Sequence, residues 1–172
     1  MKPCIFLDID GVINPSRQQT QYQLDYALPE KLSKQLNHPS IATLNTYLVN
    51  QVYACFSKES IHLIQTLIEK YDARIVVTSS WRIVYSLDQL QTMFDIFNLG
   101  KYVIDTTEVL SPRTKAIQEY IQKHHVTSYV ILDDFDMSSV FDYHFIYVHN
   151  YFNAQDYQKA DYALQIQKKE NA

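Results

Sequence analysis

Asp8 and Asp10 stand at i and i+2, directly after the apolar run Cys4-Ile5-Phe6-Leu7 and just before Gly11-Val12. Two carboxylates this close repel one another unless a cation lies between them. A hard divalent ion with oxygen ligands resolves that conflict, and beside phosphate the usual one is magnesium. Gly11 is one of only two glycines in the chain, which marks a sharp turn that other residues would make at a cost. A lone D-x-D is more often a loop cap, but the apolar run before this one and the glycine after it argue for a site.

Three further clusters could join it, two of them with the same placement after an apolar run. Thr78-Ser79-Ser80-Trp81-Arg82 follows the run Ile75-Val76-Val77. A hydroxyl and successive backbone N–H groups at a strand-to-helix turn can cradle phosphate oxygens, although an ordinary helix N-cap selects the same residues. Trp81, the sole tryptophan, reads as core packing, and Arg82 as either a solvated charge or a phosphate clamp. Arg113-Thr114-Lys115 sets cations at a helix start, against the helix dipole, a local conflict of the kind that gathers at sites. Either cation alone also reads as a solvated charge. Asp133-Asp134, with Asp136 close behind, are adjacent acids after a buried run, costly there without a metal or a cation. An Asp-rich loop start is the plain alternative.

The elements that must position these clusters alternate between strand and helix. Short continuous apolar runs at residues 4–7, 73–78, 102–105, 129–132 and 145–148 suit strands buried on both faces. Between them the spacing predicts helices over 57–71 (Ile61, Ile64, Leu67 and Ile68 on one stripe, Ser57 or Ser60 as cap), 87–97 ending at a Gly100 C-cap, 115–124 and 154–168. The fold expected is α/β, a three-layer Rossmann-like, mostly parallel sheet with helices on both faces. Ligands bind such sheets at the carboxyl ends of the strands. Residues 15–56 read as a polar insertion beside the site in an otherwise single domain spanning 1–172. Its first part is Gln-rich (Gln18, Gln19, Gln21, Gln23), punctuated by Pro15, Pro29 and Pro39, and reads as a loop with short helical pieces.

Composition bounds the rest. The chain has 172 residues, 47% of them hydrophobic and 20% charged, enough for one domain with a real core. A net charge of -4 gives no electrostatic footprint for nucleic acid, though it leaves room for a local basic cleft. Cys4 and Cys55 form neither a disulfide framework nor a zinc spacing, so a reducing cytoplasm is the expected setting. The first apolar run is cut off too early for a signal-peptide core, and no apolar stretch approaches membrane-spanning length. Among the histidines, His124-His125 suits a helix end, and His144 and His149 flank a strand. The aromatics Phe145, Tyr147, Tyr151 and Phe152 are expected to fill the last strand and the core under the closing helix.

Taken in order, the four clusters resemble the haloacid dehalogenase (HAD) superfamily. Its phosphatases carry D-x-D-G-[VT] after the first strand, Thr or Ser after a second, Lys or Arg at a helix start, and paired acids after a later strand. The resemblance spans about Pro3 to Met137 and is closest to small HAD-like domains of RNA-repair-like proteins, through Phe6-Leu7-Asp8-Ile9-Asp10-Gly11-Val12-Ile13-Asn14 and Thr78-Ser79-Ser80-Trp81-Arg82. It implies that Asp8 attacks phosphorus, that Asp10 serves as acid and base while its carbonyl binds magnesium, and that Thr78 and the Ser79 amide hold a phosphoryl oxygen. It also implies that Arg113 or Lys115 is the phosphate-binding cation, Arg113 first by position, and that Asp133 or Asp134 completes the metal site. Gly11, Ser80 and Arg82 join the phosphate-binding set.

A dehalogenase needs no general acid at the second acidic position, so Asp10 favours phosphate chemistry. About 40 residues separate Asn14 from Ser57, more than a typical loop of about 4–6 but too few for a full cap domain. A nearly capless enzyme with an open cleft follows; such a cleft suits a large substrate, a phosphorylated nucleic-acid end or a phosphoprotein, and the sequence does not choose between these and a small phosphate ester. Two rivals have other chemistry: a phosphoacceptor signalling domain, in which the acid pair would come first rather than last, and a catalytically weak HAD-like binding module.

Overall fold

The computed structural model describes residues 2–17 and 20–170; Gln18 and Gln19 of the expected polar segment lie outside the described residues. Five parallel strands, β1 (Cys4–Leu7), β2 (Arg74–Val77), β3 (Val103–Thr106), β4 (Tyr129–Asp133) and β5 (Phe145–Tyr147), form one sheet in the order β3-β2-β1-β4-β5. β1 is central, with Leu7 level with Val77 on one side and Leu132 on the other. The residues that follow these three therefore leave the sheet side by side.

Alternation along the strands splits the core in two. Ile5, Leu7, Ile75, Val77, Val130 and Leu132 face one layer, and Cys4, Phe6, Val76 and Ile131 face the other. The first layer holds α2 (Thr46–Cys55), α3 (Lys58–Tyr71), α4 (Leu87–Asp95) and α7 (Ala154–Glu170); the second holds α5 (Arg113–Lys123) and the short α6 (Ser138–Phe141). Helices thus cover both faces, as the apolar runs require.

Within residues 15–56, α1 (Leu28–Gln35) starts with Pro29 in its first turn and a 3-10 turn (Pro39–Thr43) starts on Pro39, both places where a missing N–H costs nothing. Helix α2 is not apparent in the sequence pattern. Leu32, Ile41, Leu48, Val49 and Val52 from this segment join the main core, and the Asn50 side-chain amide accepts from the Asp25 N–H at 2.9 Å and donates to the Asp25 carbonyl at 3.0 Å. The described part of the segment therefore packs onto the sheet layer rather than forming a body of its own.

Ser57 caps α3, accepting from the Ser60 N–H, while the Ser60 hydroxyl instead donates to the Phe152 carbonyl at 2.7 Å. The end of α4 differs from expectation. Asn98, not Gly100, takes the left-handed conformation (φ 60°). Gly100 begins a 3-10 turn, where a Cβ would run into the Gln91 carbonyl and the Asp95 side chain. Close approach, not backbone handedness, is what this glycine supplies. Phe145 and Phe152 are buried as expected, whereas Tyr147 is exposed and Tyr151 half-buried. No helix among the described residues is long and apolar enough to cross a membrane.

Candidate active site

The ladder carries β1 one residue further. The Asp8 N–H donates to the Leu132 carbonyl and the Thr78 N–H to the Leu7 carbonyl, both at 3.0 Å, fixing the backbone on either side of the Asp8 carboxylate. Asp8 is buried, and its Oδ1 accepts the Ile9 N–H at 2.8 Å. The chain then turns tightly: the N–H groups of Val12, Ile13 and Asn14 converge on the Ile9 carbonyl, and the Gly11 N–H meets the Asn14 carbonyl at 2.7 Å. Gly11 sits at φ 78°, where only glycine is unstrained. A Cβ there would also collide with the Asp134 side chain. Ile9, Val12 and Ile13 are fully buried, so the turn is anchored while Asp10 projects outward.

Carboxylate oxygens of Asp8, Asp133 and Asp134 lie within 4.8 Å of one another. Arg113, from the first residue of α5, places Nη1 at 2.7 Å from Asp8 Oδ2 and 2.5 Å from Asp133 Oδ2. Burial of Asp133 and the neighbouring Asp8 charge push its carboxyl up to about 6, only partly offset by Arg113. Asp134 is raised as well, by its partial burial and by Asp8. Burial works against the Arg113 charge, but Asp133 and Asp8 outweigh it and hold the guanidinium protonated. One cation in contact with a converging acidic group leaves negative charge over, and a carboxylate oxygen set of this kind fits magnesium. Asp136 does not join; it caps the Ser138 N–H.

Thr78 is fully buried and its hydroxyl has no hydrogen-bond partner among the described residues. Such a group costs about 1–3 kcal/mol, which a bound oxyanion would remove. Ser79 is buried and caps the 3-10 turn Ser80–Ile83, while Ser80 is exposed. The strand therefore leads into a single 3-10 turn rather than an α-helix.

Two expected site residues have other partners. Arg82 donates to the carbonyls of Thr78, Ser79 (2.7 Å), Thr107 (3.0 Å) and Glu108 (3.2 Å), fastening the loop after β2 to the loop after β3. A guanidinium only donates, and these carbonyls use most of its capacity in clamping the two loops beside the charges of Asp8 and Asp133. Lys115 is 59% exposed and pairs with Glu119 at 3.7 Å, away from the acids. Arg113 shares its helical stripe with the buried Ala116, Ile117 and Tyr120, whereas Lys115 and Glu119 lie off that stripe. That periodicity was available in the sequence and places Arg113, not Lys115, beside the acids.

Asp10 stands apart from the three converging acids. Its Oδ2 accepts the Trp81 indole N–H at 2.8 Å and its Oδ1 the Asn14 amide at 2.7 Å. Neither donor was singled out by residue type. The available signal was an Asn four positions beyond an acid, and a tryptophan in a loop that follows a strand.

A family model described as "HAD domain in Swiss Army Knife RNA repair proteins" matches residues 4–156, a span that runs from β1 into the first turn of α7 and contains every residue of this site. This chain belongs to that family. Comparison with curated proteins and with solved structures gave no match. The HAD domain sits in a superfamily composed mostly of hydrolases, and its five-stranded parallel sheet is the architecture expected of it. Within this HAD domain, Gly11→Ala is expected to displace Asp134 and to strain the turn. The melting temperature should fall, by an amount corresponding to about 1–3 kcal/mol, and any stabilisation that added magnesium gives the wild type should shrink. An unchanged magnesium response would show that Asp134 does not need the space above Gly11.

Proposed function

We propose that this HAD domain is a magnesium-dependent phosphomonoesterase that works through an aspartyl-phosphate on Asp8. The observation that carries the reading is a division among four acids. Asp8, Asp133 and Asp134 converge, whereas Asp10, two residues from Asp8, is held out of that group by its own two donors. Hydrolysis of a phosphate ester through an aspartyl-phosphate uses both sets: carboxylates gathered around a nucleophile and a separate acid–base group.

In this reading an Asp8 oxygen attacks phosphorus while Asp10 gives a proton to the departing ester oxygen. Asp10, now a carboxylate, then takes a proton from the water that attacks phosphorus, which releases phosphate and restores Asp8. The Arg113 guanidinium and the Thr78 hydroxyl donate to the phosphoryl oxygens, a positioning and charge-stabilising task that dominates phosphoryl transfer. Asp8, Asp133, Asp134 and the Asp10 carbonyl would hold magnesium, which when bound supplies positive charge against the phosphoryl group.

The family's association with RNA repair supports a phosphorylated RNA terminus as the substrate class. With a net charge of -4, contact is expected to be confined to the terminal phosphate and its nucleotide. The salt dependence of kcat/KM on such an end should then be shallow, a logarithmic slope of about -1 to -2 rather than that of a long basic groove. The first test is release of phosphate from an aryl phosphate and from a 3′- or 5′-phosphorylated RNA oligomer, with magnesium or with EDTA. Turnover confined to magnesium is the expected result; equal turnover in EDTA would overturn the metal-dependent reading.

A further inference from the structure

Asp10 is exposed, on a turn, and yet both of its carboxylate oxygens are occupied. The Trp81 N–H comes from the loop after β2 and the Asn14 amide from the far side of the Asp10 turn, where Asp10 and Asn14 also pair as an isolated backbone bridge. An exposed carboxylate held by nothing samples several rotamers. Here two donors from different segments fix both the χ angles and the plane of the group. The indole itself is braced by Phe56 at 5.9 Å and Tyr85 at 5.8 Å between ring centres, and the loop that carries it is fastened by Arg82. An indole nitrogen can only donate, so this contact holds Asp10 in place without competing for the proton it would transfer.

We infer that Trp81, with Asn14, is a positioning residue that aims the Asp10 carboxyl at the leaving oxygen of the ester. This rests on the phosphatase reading, because an aimed acid has a task only if a leaving group must be protonated. Its consequence is a selectivity for poor leaving groups. An alkoxide must gain a proton as it departs, whereas a nitrophenolate leaves without one, so imprecise aim of Asp10 harms only the first kind of substrate.

The test is Trp81→Phe, which keeps a ring against Phe56 and Tyr85 and removes the N–H. The reading is kcat/KM, which reports steps up to departure of the leaving group, for an alkyl phosphate and for 4-nitrophenyl phosphate. The alkyl ester is expected to lose at least about tenfold more than the aryl ester, within the range that general acid catalysis supplies. Equal losses on both, or no loss on either, would overturn the role of Trp81. Wild-type protein inactive on both esters and on the phosphorylated RNA oligomer, whose terminal alkoxide takes the place of the alkyl ester in the comparison, would instead sink the phosphatase reading, and the role of Trp81 with it. A second measurement needs no turnover. With a single tryptophan in the chain, the indole N–H gives one resonance in a 15N–1H spectrum. Asp10→Ala should shift it and speed its exchange with solvent; an unmoved, equally protected resonance would show that the contact does not hold in solution.

Discussion

Asp8→Asn is expected to abolish phosphate release, by about four orders of magnitude or more, while leaving the fold nearly as stable as before. The size of the loss follows from the role: an amide has no anionic oxygen to attack phosphorus, and removal of a covalent nucleophile costs more than removal of any supporting group. The mild effect on the fold follows from the contacts. Asp8 accepts from Ile9 and Arg113, and an asparagine oxygen can keep only one of those bonds. Against that loss, the buried Asp133 no longer faces a second carboxylate, one of the causes that raise its proton affinity. The two effects oppose one another, and in EDTA the change should stay within about 1 kcal/mol. Magnesium should stabilise the variant less than the wild type, because one of three converging carboxylates is gone. Trapping of phosphate on wild-type protein but not on the variant would tie the loss to the intermediate. Residual turnover near the wild-type rate would sink covalent catalysis by Asp8.

What was legible is what the regular sheet ladder fixes, whatever the chain distance, and what was not lies on loops and in side chains with two roles. Runs such as Cys4–Leu7 and Ile75–Val77 announce themselves because a strand covered on both faces must be apolar at every position. The acids after β1 and β4 are legible for a related reason: charge that stops a buried run needs compensation. Asp8 and Asp133, 125 positions apart, can be anticipated as neighbours once the strands are taken to be parallel and adjacent. Arg82 was not legible, because the Thr107 and Glu108 carbonyls that claim it lie about 25 residues away, on a loop whose path no local pattern fixes. Trp81 was hidden differently. Its ring does pack, against Phe56 and Tyr85, so the expectation of packing was correct but incomplete. A side chain with an apolar body and a polar edge can fill both roles at once. Helix α2 escaped because its apolar residues include the β-branched Val49 and Val52 and are interrupted by the buried Asn50, whose amide serves the backbone of another segment.

Arg113→Ala should produce the second large effect, and it should depend on pH. In the folded chain Asp133 keeps its proton up to about pH 6, whereas in the unfolded chain it releases it near its ordinary 3.8. Between those values the native state binds more protons than the unfolded state, so this group's contribution to stability falls as pH rises through that window. Arg113 limits the fall, since its Nη1 touches both Asp8 and Asp133. Without it, no cation among the described residues contacts either acid, and Asp133 should hold its proton to a still higher pH. Breaking a buried pair from one side costs about 3–5 kcal/mol, and that cost should appear in full near pH 8 and diminish near pH 5, where Asp133 is neutral. Thermal melts at the two pH values in EDTA measure the difference. An equal drop at both would mean that Arg113 stabilises by packing against Ala116 and Ile117 rather than by charge. Magnesium should narrow the gap at pH 8, because it meets the same uncompensated carboxylates. Activity should not recover in parallel, since loss of a donor to the phosphoryl oxygens costs about 10²–10³ in rate. Arg113→Lys should fall between the two: one ammonium can meet both acids as the single Nη1 does, but it lacks the further guanidinium N–H groups that would reach a phosphoryl oxygen.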